Sequence, residues 1–128
     1  MNTDPIADYL TRIRNASMAK HDQAVIPYSK VKEGITKVLQ ARKFVQKYEV
    51  KENGKFKELV VNLNSWVREP LNLTRVSKPG QRIYLKTKDI KAVKNGLGVL
   101  VVSTPQGIMT GEEARKQKLG GEALCQVY

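Results

Sequence analysis

Residues 45–63 read Val45-Gln46-Lys47-Tyr48-Glu49-Val50-Lys51-Glu52-Asn53-Gly54-Lys55-Phe56-Lys57-Glu58-Leu59-Val60-Val61-Asn62-Leu63. Up to Phe44 the apolar residues recur with a helical period, and from Val45 the pattern turns strand-like. Val45 to Val50 and Phe56 to Leu63 flank Asn53-Gly54, the dipeptide that most strongly signals a short hairpin, because a type I′ turn needs positive φ at both central positions. The stretch therefore predicts two antiparallel strands.

Working back towards the N-terminus, two helices precede this hairpin. Asp4 is placed to cap the first, with Pro5 at the first helical position, where a missing N–H costs nothing. Ile6, Leu10 and Ile13 follow at i, i+4 and i+7 on one face, with Tyr9 beside them. Asp8 and Arg12 form a favourable i, i+4 pair, while Arg14 and Asn15 lie off the apolar stripe, free to touch a partner. Ala24-Val25-Ile26 reads as a short strand ending at Pro27. Ser29 then caps a second helix whose Val31, Ile35, Val38 and Leu39 form its apolar stripe. The first half thus reads helix, strand, helix, strand, strand.

Beyond the hairpin, Asn64 to Pro70 is the best boundary, and it divides the chain into residues 1–64 and 65–128. Leu71 to Val76 and Arg82 to Leu85 are short strands around Ser77-Lys78-Pro79-Gly80, whose Pro-Gly pair has the signature of a type II turn. Thr87 to Ile90 reads as one helical turn, and Val99-Leu100-Val101-Val102 as a buried strand. Thr110 with Glu113 forms a capping box opening a short helix, Gly120 stops it, and Ala123 to Tyr128 closes the chain as a strand. The expected architecture is α+β: an N-terminal α/β lobe packed against a C-terminal, mainly β lobe with short helices.

Composition narrows the function. The 128 residues carry 23 Lys and Arg against 12 Asp and Glu, a formal net charge of +11 with 41% hydrophobic residues. Such a chain can bury a core, and its natural partners are polyanions, nucleic acid before an anionic membrane surface. No apolar run approaches the roughly 20 residues of a membrane span, and Asp4-Pro5 breaks any signal-peptide pattern. The apolar stripe from Val31 to Leu39 is too short for a membrane-surface helix. One cysteine, Cys125, excludes an internal disulfide, and Cys125 with His21 cannot assemble a zinc site. In the second half, Arg75 to Lys94 holds Arg75, Lys78, Arg82, Lys86, Lys88, Lys91 and Lys94 against Asp89 alone. The whole excess of that half lies in these twenty residues.

Catalytic signals are poor. Gly96-Leu97-Gly98 begins like a dinucleotide fingerprint, but Val101 replaces the third glycine and a strand follows. His21 lies in a polar turn with no nucleophile, and Cys125 alternates within an apolar strand. No enzyme, metal or cofactor is expected. Ser103, Thr104, Gln106 and Gly107 are better placed: small hydroxyl residues in a tight loop donate to phosphates, 2′-hydroxyls and base edges while letting the backbone approach closely. Composition alone favours an ordinary hydroxyl-rich turn.

Several blocks now carry a resemblance. Asp4-Pro5-Ile6-Ala7-Asp8 with Thr11-Arg12-Ile13-Arg14-Asn15-Ala16, then Arg75-Val76-Ser77-Lys78-Pro79-Gly80 with Arg82 and Tyr84, resemble the bacterial small-subunit ribosomal protein S8 family. So do Gly96-Leu97-Gly98, Ser103-Thr104, Gly107, Met109-Thr110, Glu113-Ala114-Arg115 and Gly120-Gly121-Glu122 with Leu124-Cys125. The blocks span essentially the whole chain, in order. The resemblance implies a cytoplasmic constituent of the small ribosomal subunit, monomeric before assembly, that binds a central-domain helix of the rRNA and helps assemble the platform beside neighbouring small-subunit proteins. It implies a main RNA contact through Ser103, Thr104 and Gly107, with Glu122 organising the site and Arg75, Lys78 and Arg82 adding charge. A lesser contact maps to Thr3, Arg14, Asn15, Ser29, Lys30 and Lys86. Pro105 stands where the family usually has a third hydroxyl residue, and Gln126 where an aromatic is common. The competing readings are a general basic nucleic-acid-binding protein outside the ribosome and an RNA-directed enzyme.

Overall fold

The computed structural model describes residues 4–63, 72–90 and 98–128. Asp4 caps α1 (Pro5–Met18), its carboxylate accepting from the Ala7 amide at 3.2 Å. Ser29 does the same for α2 (Lys30–Ala41), accepting from the Lys32 amide at 3.2 Å. Between them runs β1 (Gln23–Pro27), and after them β2 (Lys47–Asn53) and β3 (Phe56–Asn62). These strands form an antiparallel sheet in the order β1-β3-β2. The hairpin stands where the sequence put it, but its register differs by one residue. Asn53 pairs with Phe56, so the turn is Gly54-Lys55, and only Gly54 takes positive φ, at 66°. Glycine at the first central position is the type II′ arrangement, which needs a single left-handed residue where type I′ needs two.

The second sheet contains β4 (Leu73–Arg75), β5 (Tyr84–Leu85), β6 (Val99–Thr104), β7 (Gly107–Thr110) and β8 (Gly121–Val127). Its order is β4-β8-β6-β7, with β5 also pairing β8. A single 3₁₀ turn, Thr87–Asp89, and α3 (Gly111–Lys116) complete the described elements. Thr110 caps α3, accepting from the Glu113 amide at 3.0 Å. The expected boundary at Asn64 to Pro70 lies outside the described residues.

Two turn assignments need correcting. Gly80 does not take positive φ, so Lys78 to Gln81 is not a type II turn. It is closed by paired Lys78 and Gln81 backbone bonds of 2.9 Å and by Ser77, whose buried hydroxyl accepts from the Ile83 amide and donates to the Ile83 carbonyl. Nor does Gly120 stop α3. Lys118 takes the left-handed position at φ 58°, and the Leu119 amide reaches back to the Ala114 carbonyl at 2.8 Å. Lys20 ends α1 and Lys43 ends α2 in the same way. A cation near the helix C-terminus meets the dipole favourably, which partly offsets the cost of a left-handed non-glycine residue.

The helices α1 and α2 lie between the two sheets, while α3 covers the far face of the second. Tyr9, Leu10, Ile13, Ile35 and Leu39 from the helices meet Ile26, Leu59 and Val61 on one side and Val99, Val101, Cys125 and Val127 on the other, in one apolar cluster. The fully buried Tyr9 hydroxyl lies 2.6 Å from that of Thr36. Thr36 donates to the Lys32 carbonyl at 2.8 Å, so Tyr9 must be the donor. A bulge in β8, with Val101 opposite Cys125 and Val102 opposite Ala123, lets Ala123, Leu124 and Cys125 all be buried in succession.

Burial pushes the Cys125 thiol up to about 12, with Arg75 acting weakly in the other direction. A proton held more tightly folded than unfolded contributes stability below about pH 8.5, and that contribution falls as pH rises towards 12. Thiol reagents at pH 8 are therefore expected to leave the folded protein unmodified and to label Cys125 fully in concentrated guanidinium. Rapid labelling of the native protein would contradict the burial.

Candidate nucleic-acid interface

Ser103 and Thr104 do not form a loop together. They are the last two residues of β6, and Thr104 pairs with Gly107 across a two-residue turn, Pro105-Gln106. Successive strand residues point to opposite faces, so the two hydroxyls part company. The Thr104 hydroxyl donates to the Gly107 carbonyl at 2.8 Å and accepts from the Gln106 amide at 3.1 Å. Thr104 is buried and builds the turn, the role composition alone favoured. Gly107 closes it with φ of 122°, and Pro105, with its fixed φ, shapes its first corner.

Ser103 points the other way, and the strand register gives it neighbours. It pairs with Glu122 of β8, and Glu122 pairs on its other side with Tyr84 of β5. Directly opposed residues share a sheet face, so Tyr84, Glu122 and Ser103 form one row, about 10 Å from end to end at the usual strand spacing. Tyr84 is 70% exposed, a free aromatic face at the end of the row. Glu122 accepts from Arg82 at 3.1 Å, which fixes the arginine over the row and neutralises the carboxylate that a phosphate would otherwise meet. Gln126 pairs with Leu100, on the opposite face from Ser103, so the departure at that position falls outside the row.

The row continues past Ser103 to Ile108 of β7, which packs against Gly34 of α2. Here Lys30, Val31, Gly34 and Lys37 line one wall of an open cleft of about 390 Å³, and Ser103, Gly107 and Ile108 line the other. The residues assigned separately to a main and a lesser contact thus meet: Ser103 and Gly107 face Lys30 across one concavity. Lys37 was not singled out in the sequence, although it lies two turns from Lys30 on the same helical face. Tyr84 was not singled out for the site either, because its place in the row depends on strand register.

Other expected contact residues have internal partners. Arg75 bonds Asp4 at 3.1 Å and the Leu124 carbonyl at 2.6 Å, with a side chain only 10% exposed. It ties the start of α1 to the bulge in β8, so this residue, expected to contact RNA, has internal partners for its guanidinium. Arg14, expected to be free, bonds the Leu73 carbonyl. Ser29 spends its acceptor on the helix cap. Lys30, Lys78, Arg82, Lys86 and Asn15 remain exposed, while Thr3, Lys91 and Lys94 lie outside the described residues.

The family described as Ribosomal protein S8 matches residues 4–128. The small ribosomal subunit protein uS8 of Rubrobacter xylanophilus is 48% identical over 128 residues, covering 98% of this chain and 97% of that protein. The proteins of the same name from Wolbachia pipientis and Lactobacillus delbrueckii are 44% and 46% identical, each covering 98% of both chains. With its blocks in family order and matched from Asp4 to Tyr128, the chain belongs to the ribosomal protein S8 family.

Proposed function

We propose that this protein binds a central-domain helix of small-subunit rRNA, as a monomer before assembly, through the row Tyr84–Glu122–Ser103 and the cleft beside α2. Family membership makes it a structural constituent of the bacterial-type small ribosomal subunit in the cytoplasm, and not an enzyme. The observation that carries the proposal is a strand row that runs from the exposed Tyr84 through Glu122 to Ser103, where it meets a cleft walled by the lysines of α2. Lysine and arginine draw in phosphates and set a salt-dependent affinity. The Ser103 hydroxyl and the Tyr84 ring then discriminate by shape, reaching unstacked bases and 2′-hydroxyls at an irregular helix, since a regular A-form major groove is too narrow for side chains.

Lys30, Lys37, Lys78, Arg82 and Lys86 offer about five phosphate contacts, so log K for a central-domain rRNA fragment is expected to fall with log salt at a slope of roughly −3.5 to −4.5. Lys37→Gln should reduce that slope by about 0.8. Ser103→Ala should weaken binding about tenfold without changing the slope, since it removes a neutral hydrogen bond. Unchanged affinity in Ser103→Ala would remove Ser103 from the site. Equal competition by duplex DNA would favour general nucleic-acid binding over a shaped RNA site.

A further inference from the structure

A second concave surface lies on the other side of the helical layer, at the edge of the first sheet, and the RNA reading does not use it. Val25 and Pro27 of β1 form its floor, and Phe56, the first residue of β3, stands at its rim. The groove holds about 720 Å³. Val25 is 47% and Phe56 76% exposed, large apolar surface to leave in water around one groove. Lys55 and Lys57 flank it, together with Arg12, whose guanidinium is already paired with Asp8 at 3.0 Å. The one carboxylate lining it, Glu58, is already engaged within the chain.

The surface is also held rigid. The Lys32 ammonium donates to the Pro27 carbonyl at 3.0 Å, and the Tyr28 hydroxyl donates to Glu33 at 2.9 Å. Glu33 accepts from Tyr48 as well, at 3.1 Å, so α2 and β2 both brace the segment that makes the floor. A braced surface loses little conformational freedom when something docks on it.

We infer that this groove docks an acidic segment of a second small-subunit protein, one that seats an apolar side chain between Val25, Pro27 and Phe56 and sets its carboxylates against Lys55 and Lys57. Charge complementarity commits the occupant to acidic, and the form of the apolar part commits it to polypeptide. Single-stranded nucleic acid is held on successive exposed aromatics. Here Phe56 is the only fully open ring among the lining residues, since Lys57 lies over the Tyr28 ring at 5.7 Å. The floor is aliphatic and prolyl, a surface that accepts a side chain and offers a base nothing to hydrogen-bond. Interfaces of this kind concentrate their affinity in a central apolar anchor, with charges at the rim steering the encounter.

The test places a photo-crosslinking aromatic residue at Phe56, a position exposed enough to accept it, in the full chain assembled into small subunits. A matching probe at Tyr84 reports separately on the RNA surface. The Phe56 probe is expected to attach to another small-subunit protein within a stretch rich in Asp and Glu. Lys55→Glu with Lys57→Gln should lower that yield about tenfold while leaving the Tyr84 product unchanged. Attachment of the Phe56 probe to rRNA, no product in subunits that have incorporated the protein, or a yield indifferent to the charge changes would each overturn the inference. Failure at Tyr84 alone would count against the RNA reading and leave this one standing.

Discussion

Arg75→Ala is expected to destabilise the protein by about 2–3 kcal/mol while leaving the salt slope of RNA binding unchanged. The guanidinium bonds the Asp4 carboxylate and the Leu124 carbonyl with side-chain exposures of 10% for Arg75 and 16% for Asp4. Removing one partner of a largely buried pair leaves the other charge without its counterion, which costs more than the pair itself is worth. Asp4 still caps α1 through the Ala7 amide, and Leu124 still accepts from Val76, which keeps the figure below the extreme for such pairs. For a domain of this size the melting temperature should drop by roughly 10 °C. Denaturant unfolding measures the first effect and a salt series with rRNA the second. A slope reduced by about 0.8, with stability intact, would return Arg75 to the phosphate contacts.

Gly121→Ala should be more damaging still, with at least about 3 kcal/mol lost and RNA binding falling with it. A Cβ at residue 121 would stand 2.2 Å from the Ser103 carbonyl oxygen and 2.9 Å from its carbon. Neither is the end of a flexible side chain. Relief requires β6 and β8 to separate at the residues that set Ser103 opposite Glu122. Gly80→Ala is the matched control, since a Cβ there meets nothing within 4 Å and Gly80 does not take positive φ. Its stability should stay within about 0.5 kcal/mol of the native protein. Urea unfolding of the two variants decides the matter, and equal stabilities would refute the close approach of β8 to β6.

The local chemistry of the chain was legible where a few neighbouring residues settle it. Asp4 with Pro5, Ser29, and Thr110 with Glu113 begin their helices as read, because a cap needs only its own side chain and an amide two or three residues on. The buried run at Val99 to Val102 and the hairpin around Gly54 were equally plain. The errors fell where two local solutions differ by little. Asn53-Gly54 suits a type I′ turn, yet cross-strand pairing slid the turn by one residue. Gly120 looked like a helix stop, yet the chain turned earlier, at Lys118. The hairpin of β6 and β7 went unread because its residues also satisfy the description of a hydroxyl-rich loop.

The candidate site divides along the same line. By themselves the residues established a basic, α+β chain with a polyanion for a partner, and its ordered blocks pointed to its family. Composition and short-range spacing are enough for that, since net charge and periodicity need no partner across the fold. Which charges are available was decided only by the tertiary structure. Arg75 and Arg14 read as free cations until distant carbonyls and the Asp4 carboxylate claimed them. Tyr84, Glu122 and Ser103, far apart in the chain, became one row through the pairing of β5, β8 and β6, and α2 brought Lys30 and Lys37 beside it. Strand register and helix packing are sums over many long-range contacts, so no window of the sequence contains them.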